Sequence, residues 1–392
     1  MLADACEVFA DGDWIESKDQ SPDGVRLIQT GNVGEGVFKA RGEKARYVSD
    51  ATFKRLRCTE IFEGDCLISR LPDPVGRSCI LPDTGERMIT AVDCTIVRFN
   101  RKQLIPEFFN FYSQSRDYLN AVEAETTGTT RKRISRSKLA QVLIPIPPLS
   151  EQQRIVGILD EAFDCIANAK ATAEKNLYNA RALFESHLQS IFTQRGEGWA
   201  ETTLSDICEV KDGTHDSPKY IATGIPFVTQ KNIRESGLSL ENTKFIAQAD
   251  HDKFYKRSNV AFGDILISMI GANRGMACIV DDARIFSIKN VGLVKRNDSI
   301  NQSFLLYFLK SSIAAEYVRS KSKGGAQEFI GLTELRKFPI LITSLPRQDS
   351  IVAKLDVLSE ETQHLESIYR QKLSALDELK KSLLHQAFNG EL

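Results

Sequence analysis

The 392-residue sequence is first informative for what it lacks. No stretch of 18 apolar residues occurs, so no helical membrane span is expected, and Met1-Leu2-Ala3-Asp4-Ala5 has no basic start leading into an apolar run, so no secretory leader is expected either. The expectation is a cytoplasmic protein. Cysteine occurs eight times but never as Cys-x-x-Cys, and the five histidines lie far apart, which argues against zinc and for free thiols in a reducing compartment. Net charge is −1, which argues against a uniformly basic nucleic-acid coat and leaves only local patches to carry charge recognition. Also missing are the Gly-x-x-x-x-Gly-Lys-Ser/Thr phosphate loop, a Gly-x-Gly-x-x-Gly opening a helix, His-Glu-x-x-His, and the Asn-Pro-Pro-Tyr of base methylation. The chain reads as a binding protein with no catalytic residues, cofactor or metal of its own.

What the sequence does have is repetition. Sliding Leu149–Phe192 by 196 positions lays it on Leu345–Phe388 without a gap, matching Gln152 to Gln348, Ile155-Val156 to Ile351-Val352, Leu159-Asp160 to Leu355-Asp356, and Phe192 to Phe388. In the first copy Ile155, Leu159, Ala162, Ile166, Ala169, Ala173, Leu177, Ala180, Phe184, Leu188 and Ile191 recur at helical three-and-four spacing. The second keeps the seam at Ile351, Leu355, Leu358, Leu365, Tyr369, Leu373, Leu376, Leu384 and Ala387, interrupted only by Thr362 and Lys380. Each is therefore a rod of roughly 60 Å, at about 1.5 Å per residue, whose apolar stripe needs a partner. The prolines of Pro145-Ile146-Pro147-Pro148 and Pro346 mark where globular chain gives way to rod.

The flanking segments repeat as well. Leu2-Ala3-Asp4-Ala5-Cys6-Glu7-Val8 returns as Leu204-Ser205-Asp206-Ile207-Cys208-Glu209-Val210, and Phe62-Glu63-Gly64-Asp65-Cys66-Leu67-Ile68-Ser69 as Ala261-Phe262-Gly263-Asp264-Ile265-Leu266-Ile267-Ser268. Strand-like runs at Val25 to Gln29, Cys66 to Leu71 and Cys94 to Phe99, with a helical run from Glu107 to Val122, predict mixed units. The fold class expected is α+β: two similar globular domains, 1–148 and 196–344, separated by two long antiparallel helices, 149–195 and 345–392, as a pseudo-twofold internal repeat. Two modules of one plan with divergent loops suggest two readers of different targets.

Electrostatics narrows the target. Thr126–Lys138 carries five bases and no acid among small hydroxyl residues; Thr129, Arg131, Lys132 and Arg133 are its candidates for contact with a phosphate backbone. At the equivalent place the second half has Lys321-Ser322-Lys323-Gly324-Gly325-Ala326-Gln327, again basic and glycine-bearing, with Lys323, Gly324 and Gly325 as candidates. For base edges, which need paired donors and acceptors on rigid turns, the candidates are Gln29, Thr30 and Asn32 after the first strand and Thr229, Gln230, Lys231 and Asn232 after its counterpart. Ser69, Arg70, Arg77 and Ser268 join them, with His215, Lys219 and Tyr220 on a polar surface loop. Turn-making asparagines that bond their own backbone are the competing reading, and a coiled-coil scaffold whose end modules bind proteins is the competing function.

Three stretches then carry a resemblance: Leu143-Ile144-Pro145-Ile146-Pro147-Pro148-Leu149-Ser150-Glu151-Gln152-Gln153-Arg154-Ile155-Val156, the twin Gly-Asp strands, and the ending Ser382–Leu392. Together they resemble the DNA-specificity subunit of type I restriction-modification systems, over essentially the whole chain. The second copy departs from the pattern, reading Leu345-Pro346-Arg347-Gln348-Asp349, so no role of Glu151 is carried to Arg347. The resemblance implies two target recognition domains, each reading half of a split double-stranded site, with the paired helices setting the unread spacer. It also implies partners: methyltransferase subunits, two being expected, that carry S-adenosylmethionine, and restriction-translocase subunits that use ATP and Mg, neither cofactor being bound by this chain.

Overall fold

A computed structural model describes residues 1–128, 131–194, 196–325 and 327–392. The chain forms two compact units, Met1–Glu174 with Gln371–Leu392, and Lys175–Arg370. This division cuts through both long helices, not at their ends, because each globular core takes in part of both.

The first unit holds a four-stranded antiparallel sheet ordered Cys6–Asp11, Cys94–Phe99, Cys66–Ser69, Ser78–Ile80, and a second sheet ordered Tyr47–Val48, Val25–Ile28, Met88–Thr90, Glu60–Ile61, whose middle pair is parallel. The second unit repeats the plan with Val210–Asp212, Val291–Val294, Ile265–Ser268, Ala277–Ile279, and with Lys244–Ile246, Ile225–Val228, Ser287–Ile288, again with a parallel pair. Cys66–Ser69 and Ile265–Ser268 are buried along their whole length, which is why they read as unbroken apolar runs. Each follows its Gly-Asp turn, where the aspartate is a buried brace. Asp65 accepts from the Phe62 N–H at 2.9 Å and takes Arg98 through both oxygens at 2.7 Å, while Asp264 accepts from the Ala261 and Arg296 N–H groups at 2.8 Å. The helical run predicted from Glu107 to Val122 is two helices, Pro106–Tyr112 and Arg116–Ala124. The chain breaks at Ser115, whose hydroxyl caps the second by accepting from the Tyr118 N–H. Ser311 makes the same break between Gln302–Lys310 and Ser312–Lys321.

The long helices run Leu149–Thr193 and Leu345–Asn389, so the 196-residue shift holds at both ends. Gln152 and Gln348, aligned in the repeat, are latches at their N-termini. Gln152 is fully buried: its Oε1 accepts from the Ile105 N–H at 3.0 Å, and its Nε2 donates to the carbonyls of Gln103 at 2.7 Å and Pro147 at 2.8 Å. Gln348 accepts from the Asn301 N–H at 2.8 Å and donates to the Thr343 carbonyl at 2.7 Å. Glu151, by contrast, pairs with exposed Arg154, whereas Arg347 donates to the Glu197 carbonyl at 2.6 Å.

Within the first unit Ile155 and Leu159 share a core with Leu384 and Ala387, and Lys170 pairs with Asp377 farther along. Within the second, Arg181 pairs with Glu366 at 3.1 Å, and Leu188 and Phe192 share a core with Val352 and Leu355. Rising numbers on one helix meet falling numbers on the other, so the pairing is antiparallel in each unit. Phe388 packs on Phe108 and Tyr112 at 5.4 and 5.1 Å, as its repeat mate Phe192 packs on Phe304 and Phe308 at 5.6 and 5.1 Å. The seam is not uniformly covered. Ile155, Leu159, Ile166, Leu188, Leu355 and Leu384 are buried, but Leu177, Ile351 and Leu373 are half-buried and Leu365 is 38 % exposed. Away from the cores two helices alone cover only a narrow stripe of each other. Thr362 is tolerated in the stripe because its hydroxyl donates back to the Leu358 carbonyl at 2.8 Å.

Among the described residues no helix is long and apolar enough to cross a membrane, and no group of three His, Cys, Asp or Glu side chains is disposed to hold a metal. The eight cysteines are free.

Candidate nucleic-acid interface

After the strands Val25–Ile28 and Ile225–Val228 the chain makes the same short 3-10 turn, Thr30–Asn32 and Gln230–Asn232. Asn32 and Asn232 build it and do not read from it. Asn32 Oδ1 accepts from the Gln29 N–H at 2.9 Å and its Nδ2 donates to the Lys39 carbonyl at 2.8 Å. Asn232 repeats this with the Thr229 N–H at 2.8 Å and the Ser239 carbonyl at 3.0 Å. Both amides are buried and spent on backbone, so the expectation that they face base edges is corrected. Thr229 is turned inward too, its hydroxyl bonded to Asn232 Oδ1 at 3.3 Å. Gln230 is half-buried, with an Oε1 that has no hydrogen-bond partner among the described residues, and Lys231 is exposed.

Four further candidates are corrected by burial. Ser69 is closed off and bonds the Leu71 carbonyl at 3.1 Å; Ser268 is equally enclosed. Arg70 pairs with Asp11 at 3.1 Å beneath the surface. Arg77 is only 8 % exposed and spreads its guanidinium over four carbonyls: Val33 and Leu71 at 2.7 Å, Pro74 and Thr30 at 2.9 Å. Burial lowers the pKa of both guanidinium groups from its ordinary value. Neither can reach a duplex; Arg77 braces the turn that carries Thr30.

Gln29 and Thr30, half-buried, do line an open cleft of about 590 Å³ together with Gly31, Asn32, Arg41, Lys44, Ala45 and Arg46. Arg41, Lys44 and Arg46 are exposed and have no ion pair among the described residues, and Glu43, the one acid in that stretch, does not line the cleft. Reasoning from sequence missed these three bases. The signal was there, in Arg41-Gly42-Glu43-Lys44-Ala45-Arg46, but the run is shorter than the one at Thr126–Lys138 and includes an acid.

The two basic glycine loops are matched hairpins. Thr127 bridges Arg133 and Lys323 bridges Phe329, each across six residues, with Gly128 at φ 97° and Gly324 at φ 116° just after the first bridge residue. A Cβ on either glycine would lie 2.5 Å from the Arg131 carbonyl or 2.7 Å from that of Gln327, so the close turn requires glycine in both. The bases of the first hairpin are less free than their count implies. Lys132 pairs with Glu123, Arg133 with Asp93 at 2.9 Å, Arg136 with Asp11 at 3.6 Å and Lys138 with Glu125 at 3.2 Å, acids contributed from outside the run. Arg131 alone has no ion pair among the described residues. These exposed pairs are worth little each, so phosphates can displace them, but the loop's free charge is smaller than its sequence suggests. Lys323 and Gly325 are exposed; Thr129 lies outside the described residues.

In the second unit His215 is exposed, bonded to Asn290 Oδ1 at 2.7 Å and near Asp212 at 3.2 Å. Lys219 is exposed, and Tyr220 carries the Lys244 ammonium over its ring at 4.3 Å.

Comparison with known proteins decides the family. The model of the type I restriction modification DNA specificity domain matches twice, at residues 2–177 and 196–374. The chain belongs to that family. Among the specificity subunits it resembles, that of EcoBI from Escherichia coli is 25 % identical over 309 residues, covering 72 % of this chain; the chain spans 65 % of that protein's length. The MjaVIII specificity subunit of Methanocaldococcus jannaschii is 20 % identical over 318 residues, covering 76 % of this chain and 73 % of that one. Among solved structures, a chain from work on complex assembly and conformational transition of a type I R-M system superposes with a TM-score of 0.81 at 19 % identity, covering 100 % of this chain and 97 % of its own. The HsdS subunit of Thermoanaerobacter tengcongensis gives 0.58 at 19 % identity, covering 100 % and 96 %. These superpositions establish a specificity-subunit fold. The two family matches fall one on each copy of the repeat, so the tandem plan read from the sequence is the family's own.

Proposed function

We propose that this specificity-family chain recognises a bipartite double-stranded DNA site, one half per globular unit, and that the length of helix joining the units sets the unread gap between halves. The observation that carries the reading is the pair of matched turns: the same asparagine-braced backbone presents Gln29-Thr30-Gly31 in one unit and Gln230-Lys231 in the other. A repeated frame with different donors and acceptors is what two readers of different sequences need. The matched hairpins of Arg131 and Lys323 supply sequence-independent backbone contact beside them.

In this reading the chemistry lies with partners. Methyltransferase subunits, two being expected, dock on the chain and bring S-adenosylmethionine; restriction-translocase subunits bring ATP and Mg; and this chain contributes address without catalysis. The support is that none of the phosphate-loop, dinucleotide, zinc-hydrolase or base-methylation motifs occurs in it. Selection from a randomised duplex library, by the chain alone and with methyltransferase subunits, tests the proposal. Two short motifs at a constant separation support it, and one continuous motif, or none under either condition, refutes it.

A further inference from the structure

We propose that Arg41 is a specificity-determining residue of the first recognition unit, and that it reads a guanine from the mouth of the Gln29–Arg46 cleft. The inference deepens the proposal that this unit reads a half-site, and rests on it.

Both walls of the cleft are fastened from below by buried arginines. Arg77 holds the Thr30 carbonyl at 2.9 Å on one side. On the other Arg26, also 8 % exposed, donates to the Ala40 carbonyl at 2.5 Å while its other amino group is neutralised by Glu86 at 2.6 Å. Asn32 ties the walls together, taking the Gln29 N–H and donating to the Lys39 carbonyl. Arg41 therefore springs from backbone with little freedom to move, and it does so at φ 47°, the left-handed region that residues with a side chain seldom adopt.

Its guanidinium lies across Gly31. A Cβ built on Gly31 would fall 1.8 Å from Arg41 Nη1 and 3.1 Å from its Cζ, and the next nearest atom, at 3.9 Å, is Arg41 Cδ. Gly31 is not itself in the left-handed region, so a side chain there would strain no backbone but would push the end of Arg41 from its place across the turn. The result is a planar five-donor fork, exposed at the cleft mouth and without an ion pair among the described residues, on a cleft that Gln29 and Thr30 also line. That is the complement of the O6 and N7 acceptor pair of guanine. A phosphate contact needs only an exposed charge such as Lys44, whereas a base edge calls for a donor fork with further donors and acceptors beside it.

The asparagine-to-carbonyl step spans seven residues in both units, from Asn32 to Lys39 and from Asn232 to Ser239. Beyond it the second unit is two residues shorter, since Val25 pairs with Val48 but Ile225 with Ile246, so no residue there is a fixed counterpart of Arg41.

The test is duplex selection by the full chain in complex with its methyltransferase subunits, comparing wild type, Arg41→Ala and Gly31→Ala, with thermal melting to establish that each variant is folded. Wild type is expected to require a guanine at one position of one half-site. Arg41→Ala lowers the preference for that guanine on the order of 10- to 100-fold and leaves the other half-site unchanged. Gly31→Ala does the same with the charge retained, so its salt dependence matches wild type, whereas Arg41→Ala shifts the slope by at most about one. Uniform weakening on all sequences by Arg41→Ala would make it a phosphate contact and overturn the assignment, as would unchanged selectivity of folded Gly31→Ala. If wild type selects two half-sites and neither changes in Arg41→Ala, only the Arg41 assignment falls; if wild type selects no split site, the reading beneath it falls too.

Discussion

Replacing Gln348 with alanine should loosen the second unit by an amount that follows from its bonds. The carboxamide is buried and makes two hydrogen bonds, at 2.8 Å from the Asn301 N–H and 2.7 Å to the Thr343 carbonyl. Each contributes about 1 kcal/mol net, and groups left buried without a partner cost about 1–3 kcal/mol more, so the expected loss is about 3–5 kcal/mol. The chain has two tryptophans. Trp199 packs on Phe192 at 6.1 Å and Phe304 at 6.0 Å, just beyond the helix start that Gln348 secures, whereas Trp14 is 69 % exposed. In a Trp14→Phe background, Trp199 emission during urea unfolding therefore reports on the second unit. With a slope of about 2–3 kcal/mol per molar, the midpoint should fall by about 1–2.5 M. Gln348→Glu should fall comparably, because a carboxylate still accepts from Asn301 but cannot donate to Thr343. A midpoint within about 0.2 M of wild type for the alanine variant, a difference worth about half a kcal/mol on the same slope, would refute the latch.

Burial pushes the Asp13 carboxyl up to about 6 in spite of the Thr59 N–H that bonds it at 3.0 Å. Above its ordinary value of 3.8 the folded state holds that proton more tightly than the unfolded chain, so this group makes stability fall as pH rises from about 4 to about 6 and leaves a constant penalty above. Asp13→Asn, which keeps an acceptor for Thr59, should melt higher than wild type at pH 7.5 and not at pH 4; equal gains at both would contradict the buried charge. Changing Arg131, Lys132 and Arg133 together to alanine should weaken binding to every sequence and reduce the salt slope by between about one and three, since two of these bases also release acids on removal. Altered specificity at an unchanged slope would show that the hairpin reads bases.

The rods and the tandem plan were legible in the sequence because they rest on periodicity and a constant offset, neither of which needs a side-chain direction to be known. The Gly-Asp turns were legible as turns for the same reason. Orientation was not. Asn32, Asn232, Arg77, Ser69 and Ser268 are the residue types that read DNA, yet they face inward, and nothing local distinguishes an arginine that grips carbonyls at Val33, Leu71 and Thr30 from one that faces solvent. Pairing was equally hidden, since Asp11 and Asp93 neutralise bases far along the chain from them. The repeat alignment did mark Gln152 and Gln348, but as a match without a role; the carbonyls they hold appear only when helix and loop are brought together.

If the helices act as a ruler, their length fixes the gap between the half-sites. Removing seven residues from the middle of each of Leu149–Thr193 and Leu345–Asn389 shortens the rod by about 10 Å, some three base pairs at about 3.4 Å each, with only about 20° of helical drift. Duplex selection with that variant should return the same two half-sites about three base pairs closer together. The same half-sites at the original separation would contradict the claim.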